Sequence, residues 1–281
     1  MLQVQHITVA AGRKGPVLVN DVSFQVPPGR LLVVLGANGA GKSTLLRAIG
    51  GEVRATRGTV QWKEKTIADI PLAVIARERA FLGQHSEVPF AFTAREVVMM
   101  GRYPHFTGLP SSADEDAVDR AMMHMHIEAL QHRPMPSLSG GERKRVHIAR
   151  VMAQLDNGDR TSLLLMDEPL NDLDVKHQLA VMEHARAYAE AGHCVVAVLH
   201  DVNLASRYAH RILLMGHGRT LALGEPRDVL VPELLEQAYG MPAHVLPHPV
   251  TGAPWVHFGE GLAATAIDHS HTRAIAEPLD A

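Results

Sequence analysis

Apolar positions in the first third of the chain fall in short runs closed by turn residues. Leu2 to Val9, Val17 to Val26 and Leu31 to Leu35 read as strands, with Gly12-Arg13-Lys14-Gly15 and Pro27-Pro28-Gly29 as the turns between them. The third run, Leu31-Leu32-Val33-Val34-Leu35, has no polar alternation, which is the pattern of a strand covered on both faces. Gly58-Thr59-Val60-Gln61-Trp62 reads as another strand, and Arg77 to Gly83 leads to Gln84. From about Thr93 the period changes: Ala94 to Met100, Asp114 to Leu130 and Glu142 to Leu155 carry apolar residues at helical spacing. Two buried-strand patterns follow, Ser162 to Met166 and Cys194 to Leu199, each ending in acidic or histidine residues. Strands alternating with helices predict an α/β fold with a mostly parallel sheet and functional residues at the carboxyl ends of its strands.

The turn after Leu35 carries the clearest chemistry. Gly36-Ala37-Asn38-Gly39-Ala40-Gly41-Lys42-Ser43-Thr44 joins a buried strand to the helix-like Leu45-Leu46-Arg47-Ala48-Ile49, which is the arrangement of a P-loop. Its glycines let consecutive N–H groups converge on a β-phosphate with the positive end of a helix behind them. Lys42 then reaches the β- and γ-phosphates, and the Ser43 hydroxyl can bind Mg²⁺. Downstream, Leu163-Leu164-Leu165-Met166 delivers Asp167 and Glu168 at a strand end. Asp167 is placed to hold Mg²⁺ through its water shell, and Glu168 to orient an attacking water. A third segment, Leu138-Ser139-Gly140-Gly141-Glu142, opens a helix. Its Ser139 and Glu142 are explained by an S-x-x-E capping box, but two adjacent glycines are not; they leave N–H groups open to an anion such as a γ-phosphate.

Composition narrows the classes. The 281 residues are 46% hydrophobic, ample for a folded core, and the formal net charge is -3 with Glu142-Arg143-Lys144-Arg145 the one dense basic block, so nucleic acid is not expected as a partner. The chain has no run of about eighteen apolar residues and no basic segment leading into an apolar one at its start. It is expected neither to span a membrane nor to be exported by itself. Its one cysteine, Cys194, lies in an apolar run and reads as a buried strand residue, which suits a cytoplasmic chain without disulfides. Eighteen histidines are scattered, and His269-Ser270-His271 is too short a tract to define a metal site. Met122, Met123 and Met125 read as core filler.

In order and spacing, the P-loop at Gly36 to Thr44, Leu-Ser-Gly-Gly-Glu at 138 to 142, Asp167-Glu168 and His200-Asp201 resemble the ATP-binding-cassette (ABC) ATPases over about residues 2 to 240. The resemblance implies a P-loop NTPase core with an antiparallel β subdomain and a helical subdomain. Residues 1–84 and 161–240 would form the core with its β subdomain, 85–160 the helical subdomain and 241–281 a C-terminal extension. It implies that Gln84 senses Mg²⁺ and the membrane partner, and that His200 contacts the γ-phosphate. Ser139, Gly140 and Gly141 of one copy would cover the ATP of another in a head-to-tail homodimer, with Asp174 in a dimer-contact loop. Two departures stand out. Where the family stacks adenine on an aromatic residue, this chain has Val9-Ala10-Ala11-Gly12, and where the family often reads Ser-Ala-Leu-Asp it has Asn171-Asp172-Leu173-Asp174.

Within the family, Gln84-His85-Ser86 through Met99-Met100-Gly101-Arg102-Tyr103-Pro104-His105-Phe106 resembles the membrane-partner face of importers for iron chelates, haem and vitamin B12. The stretches Glu142 to Val151, Val198 to Ala205 and Val245-Leu246-Pro247-His248-Pro249 are similar to the ATP-binding subunit of bacterial haem importers. That resemblance implies ATP and Mg²⁺ as cofactors, two transmembrane permease subunits and a periplasmic substrate-binding protein as partners, and a peripheral place on the cytoplasmic face of the inner membrane. It leaves open a ferric-siderophore or cobalamin importer, and a soluble ABC ATPase that remodels protein or nucleic acid. His85, His105, His244 and His248 are expected at the surface or in the core rather than on cargo.

Overall fold

A computed structural model describes residues 1–12, 15–83, 92–158 and 160–260. The chain opens with β1 (Leu2–Ala10), β2 (Val17–Val26) and β3 (Arg30–Leu35), passes through α1 (Lys42–Ile49), and continues as β4 (Arg57–Trp62) and the short β5 (Lys65–Thr66). Four of these strands form an antiparallel sheet in the order β2-β1-β4-β5. Its inner face buries Leu2, Val4, Ile7 and Val9 of β1. The shift in parity between Val4 and Ile7 is a bulge: His6 takes φ 52°, Asp21 opposite takes φ 57°, and the pairing slips there. The His6 ring and the Asp21 carboxylate meet at 2.7 Å across the bulge.

A turn of helix, α2 (Leu72–Ile75), leads to β6 (Arg79–Leu82). The helices α3 (Ala94–Met100), α4 (Ser112–His124) and α5 (Gly140–Leu155) then pack on one another. The remainder is β7 (Leu163–Asp167), α6 (Val175–Glu190), β8 (Cys194–Val198), α7 (Val202–Tyr208), β9 (Arg211–Gly216), β10 (Arg219–Gly224), α8 (Pro226–Val229), α9 (Pro232–Tyr239) and a hairpin of β11 (Ala243–Pro247) with β12 (Pro254–Phe258). The second sheet has the order β10-β9-β3-β8-β7-β6, and each neighbouring pair is parallel except β10 with β9. The expected α/β class, with a mostly parallel sheet beside an antiparallel one, is what the fold contains.

The unbroken apolar run of β3 has a direct cause. Leu31, Val33 and Leu35 enter the core shared with α3 to α7, whereas Leu32 and Val34 enter the core beneath α1 and the antiparallel sheet. A strand sandwiched between two cores has no face for a polar residue. Its pairing then sets the height of everything that follows: Val34 lies opposite Val198, and Val198 opposite Asp167. The carboxyl ends of β3, β7 and β8 therefore open at one edge.

Two local expectations are corrected. The helix expected over Asp114 to Leu130 ends at His124. His126 turns left-handed at φ 51° so that Ile127 folds back under Met122, and Glu128–Leu130 is a separate 3-10 turn. The same turn splits the methionines: Met122 and Met125 are buried, but Met123 is 61% exposed. Within the C-terminal extension, residues 243–258 form the β11–β12 ribbon. Cys194 is buried as expected; its thiol donates to the Val26 carbonyl at 3.4 Å and burial pushes its pKa up.

Candidate functional site

Strand β3 ends at Leu35, and the loop that follows reaches α1 through backbone that only glycine adopts freely. Gly36 has φ 145° and Gly41, the residue before α1, has φ 91°. A Cβ on Gly36 would stand 2.3 Å from the Met215 carbonyl oxygen, and one on Gly41 2.4 Å from that of Leu18. The loop is thus pressed between β9 and β2. Lys42 is buried, and its Nζ donates to the carbonyls of Gly36 at 2.7 Å and Ala37 at 3.0 Å, tying the two ends of the loop together. Burial pushes the Lys42 pKa down, while the carboxylates of Glu168 and Asp167 pull the other way. Above the loop lies a cleft of about 220 Å³ bounded by Asn38, Gly39, Ala40, Gly41, Lys42, Ser43 and Thr44 with Leu18 and Glu168.

Leu18 lines the cleft although the motif pattern does not single it out. It is 38% exposed and Val17 beside it 55%, although both belong to an apolar run in β2. Three consecutive apolar residues, Val17-Leu18-Val19, in a strand with one buried face were the signal, because that face can cover only alternate positions.

Asp167 closes β7 and is fully buried. The Ser43 hydroxyl donates to its Oδ1 at 2.9 Å, while Oδ2 has no hydrogen-bond partner. Burial pushes its pKa up despite the Ser43 bond. A buried carboxylate oxygen without a donor, beside a hydroxyl at the head of a P-loop, is an oxygen set that fits a hard dication such as Mg²⁺. No group of three or more His, Cys, Asp or Glu poised for a metal exists among the described residues, so phosphate oxygens would have to complete the shell of such an ion.

Glu168 follows at φ 50°, with its N–H on the Val198 carbonyl at 3.2 Å. That left-handed turn at a bulky residue is strained, and strain of this kind concentrates at functional sites. Its Oε1 lies 2.7 Å from Nε2 of His200, and its Oε2 accepts from Nδ2 of Asn171 at 2.9 Å. In the sequence Asn171 is a departure from a family pattern; three residues beyond Glu168 in a turn, it is a donor to the carboxylate. Buried Lys144 reaches the Glu168 carbonyl at 3.4 Å, and its pKa is lowered by burial.

Ser139, Gly140 and Gly141 stand elsewhere. Ser139 caps α5 in a reciprocal capping box with Glu142, whose pKa is lowered by its bond from the Ser139 N–H. Ser139 and Gly140 are exposed, Gly141 is half-buried, and none of the three lines the P-loop cleft. Asp174 caps α6, accepting from the His177 N–H at 2.9 Å, and is lowered in pKa by that bond. Gln84 and His85 lie outside the described residues.

The Met-Gly-Arg-Tyr-Pro-His stretch divides between two tasks. Arg102 is buried, paired with Asp114 at 3.0 Å and donating to the carbonyls of Ala153 and Asp156, so it binds α3, α4 and α5 together. His105 Nε2 meets the Gln154 carbonyl at 2.8 Å. Met100 and Tyr103 instead face a cleft of about 450 Å³ with Phe92, Arg95, Glu96 and Met99, and Tyr103 is 60% exposed.

Known proteins resemble this chain over most of its length. A family model described as ABC transporter matches residues 19–171. The chain is 44% identical over 241 residues to the hemin import ATP-binding protein of Gloeobacter violaceus, covering 85% of this chain and 88% of that one. It is 46% identical over 248 residues to the protein of the same name from Rhodococcus jostii, covering 88% and 83%. The corresponding protein of Pseudomonas putida is 42% identical over 256 residues, covering 91% and 99%. Among solved structures, an inward-facing ABC transporter assigned to the metal-chelate type aligns with TM-score 0.75 at 27% identity, over 92% of this chain and 96% of that one. A dimeric bacterial ABC transporter cassette aligns with TM-score 0.70 at 25% identity, over 80% and 98%.

Proposed function

This chain belongs to the ABC transporter family, and from that premise we propose that it is the ATP-hydrolysing subunit of a hemin importer, acting as a homodimer beneath two membrane permease subunits fed by a periplasmic binding protein. The observation that carries the reading is the meeting of Lys42, Ser43, Asp167 and Glu168 at one edge of the parallel sheet, in a chain 39–46% identical to relatives named for hemin import. No helix among the described residues is long and apolar enough to cross a membrane, and in this reading the cargo passes through the permease subunits.

In this reading the N–H groups from Gly36 to Thr44 and the Lys42 ammonium grip the triphosphate, and Ser43 with Asp167 holds Mg²⁺. When bound, that ion screens the charge that builds on the phosphate oxygens during transfer. Glu168 accepts a proton from the attacking water, its carboxylate aimed by Asn171. His200, whose Nε2 lies 2.7 Å from Oε1 of Glu168, is the γ-phosphate contact in this reading. Ser139, Gly140 and Gly141 of the second copy close the cleft, since the protomer's own copies do not line it. The permease docks at the cleft of Met100 and Tyr103, with Gln84 relaying its state to the metal.

The test is the purified chain co-expressed with its permease and reconstituted. A haem-loaded periplasmic binding protein should raise ATP hydrolysis several-fold. Stimulation by a siderophore- or cobalamin-loaded protein alone would overturn the cargo, and a chain that never co-purifies with a membrane partner would overturn the importer.

A further inference from the structure

The β11–β12 ribbon, which the ATPase reading leaves without a task, has two unlike faces. Ala243 and Val256 are buried on its inner side, and Phe258 packs there against the Tyr239 ring at 5.0 Å between centroids. The ribbon is bolted down at the same time. Asn203 of α7 exchanges bonds with the backbone of Val256 at 2.8 and 3.1 Å, and Ser206 donates to the Pro254 carbonyl at 2.6 Å.

The outer face is made by the alternate residues. His244 lies directly opposite His257, and Leu246 opposite Trp255, so all four share one side of the ribbon. Leu246 is 64% exposed and Trp255 47%, and both histidines are exposed. Neither His244 nor His257 has a hydrogen-bond or ion-pair partner among the described residues, unlike His248. That ring leans on Trp255 at 5.1 Å between centroids, and its Nδ1 accepts from the N–H groups of Val250 and Thr251. His248 is therefore spent on shaping the turn. What remains is a flat patch with two open imidazoles at one end and an aliphatic–indole pair at the other, their Cβ atoms about 5 Å apart across the strands and about 7 Å along them.

We infer that this outer face binds an iron porphyrin, with His244 or His257 as the axial ligand of the iron and Leu246 and Trp255 against the macrocycle. Two kinds of ligand take imidazole donors. A bare divalent cation wants four or more donors, and the described residues offer only two imidazoles here, with no third metal-binding group to complete a cluster. An iron porphyrin brings four nitrogens of its own and needs one imidazole above its plane and apolar cover for its rings. Strand side chains stand roughly perpendicular to the sheet, so a ligating imidazole holds the macrocycle parallel to the ribbon, over Leu246 and Trp255. Anchorage by Asn203 and Ser206 means that no ordering of the ribbon is needed on binding. The inference rests on the hemin reading, for it places cargo chemistry on the ATPase subunit itself.

The experiment is titration of hemin into the purified full-length chain without nucleotide, followed by the Soret band. Saturable binding of one equivalent with an imidazole-ligated spectrum is expected. The double variant His244→Ala/His257→Ala should lose that spectral form and weaken binding about tenfold or more, and Leu246→Ala/Trp255→Ala should keep the spectral form while weakening binding several-fold. Unchanged melting curves will show that both variants remain folded, since all four side chains are exposed. Hemin uptake indifferent to the histidine pair, or no uptake, would overturn the inference. So would Ni²⁺ alone saturating the pair while hemin does not. The outcome is separable from the transport test: a transporter stimulated by haem whose ATPase subunit ignores hemin defeats the ribbon site alone, whereas stimulation only by another chelate removes the premise.

Discussion

Two segments of this chain lead into a helix through glycines, and they are glycine for different reasons. At Gly36 and Gly41 the fold demands it: the backbone is left-handed or beyond, and a Cβ would stand 2.3–2.4 Å from a carbonyl oxygen of a neighbouring strand. At Gly140 and Gly141 the fold makes no such demand. A Cβ at Gly140 would meet nothing closer than the Asp172 Cβ at 3.7 Å, and one at Gly141 the Asp172 carbonyl oxygen at 3.2 Å, a close but adjustable contact. Neither has a positive φ. The first pair is explained inside the protomer. For the second, the proposed function supplies the reason, an anion held by another copy.

Three changes would break or sharpen the contrast. The largest effect is expected from Glu168→Gln, which keeps the side chain's size and one acceptor oxygen but removes the proton acceptor. Turnover should fall by about 10²–10⁴-fold with ATP affinity retained, and light scattering should find an ATP-dependent dimer. Undiminished turnover, or a monomer under saturating ATP, would end the shared-site account. Next comes Gly36→Ala, for which the forced φ alone costs about 1–3 kcal/mol and the clash with the Met215 carbonyl adds to it. Urea denaturation of the nucleotide-free protein should show a loss of at least that size; a neutral result would mean the loop is not pressed against β9 as described.

The smallest effect on folding is expected from Gly140→Ala. Alanine is the better helix former by up to about 1 kcal/mol, so the isolated chain should be as stable as before or slightly more so. In the Glu168→Gln background, however, the same methyl should weaken the ATP-driven dimer, read as a higher nucleotide requirement in light scattering. If stability and dimerisation both stay unchanged, the two glycines have no role across the interface and the contrast with Gly36 loses its meaning.

Much of the site was legible because its chemistry is local. The P-loop glycines, Lys42 and Ser43 are consecutive, and the backbone geometry they need is written in residue type. Asp167-Glu168 and His200-Asp201 were legible for a related reason: each ends an apolar run, and parallel strands present their carboxyl ends together. Leu18 and Asn171 were harder. Leu18 belongs to the cleft only because β2 passes beside Gly41, and Asn171 matters only because the chain turns sharply at Glu168. The end of α4 at His124 was hidden as well, since Met125 and Ile127 continue the helical period in sequence, and only the shared core with α5 rewards turning them inward.

Residue order and side-chain type determined by themselves that this chain would build a parallel sheet, curl a phosphate-binding loop off its third strand and drop carboxylates near it. These follow from steric and hydrogen-bonding preferences that act over a few residues. Tertiary structure alone decided which lone pairs are committed and which are open. Packing buries Asp167 with one oxygen left without a donor, spends Arg102 and His248 on holding the fold, and leaves His244 and His257 facing outward on one ribbon. Such commitments depend on groups far apart in the chain, and burial makes each pairing strong enough to matter only once the core around it has closed.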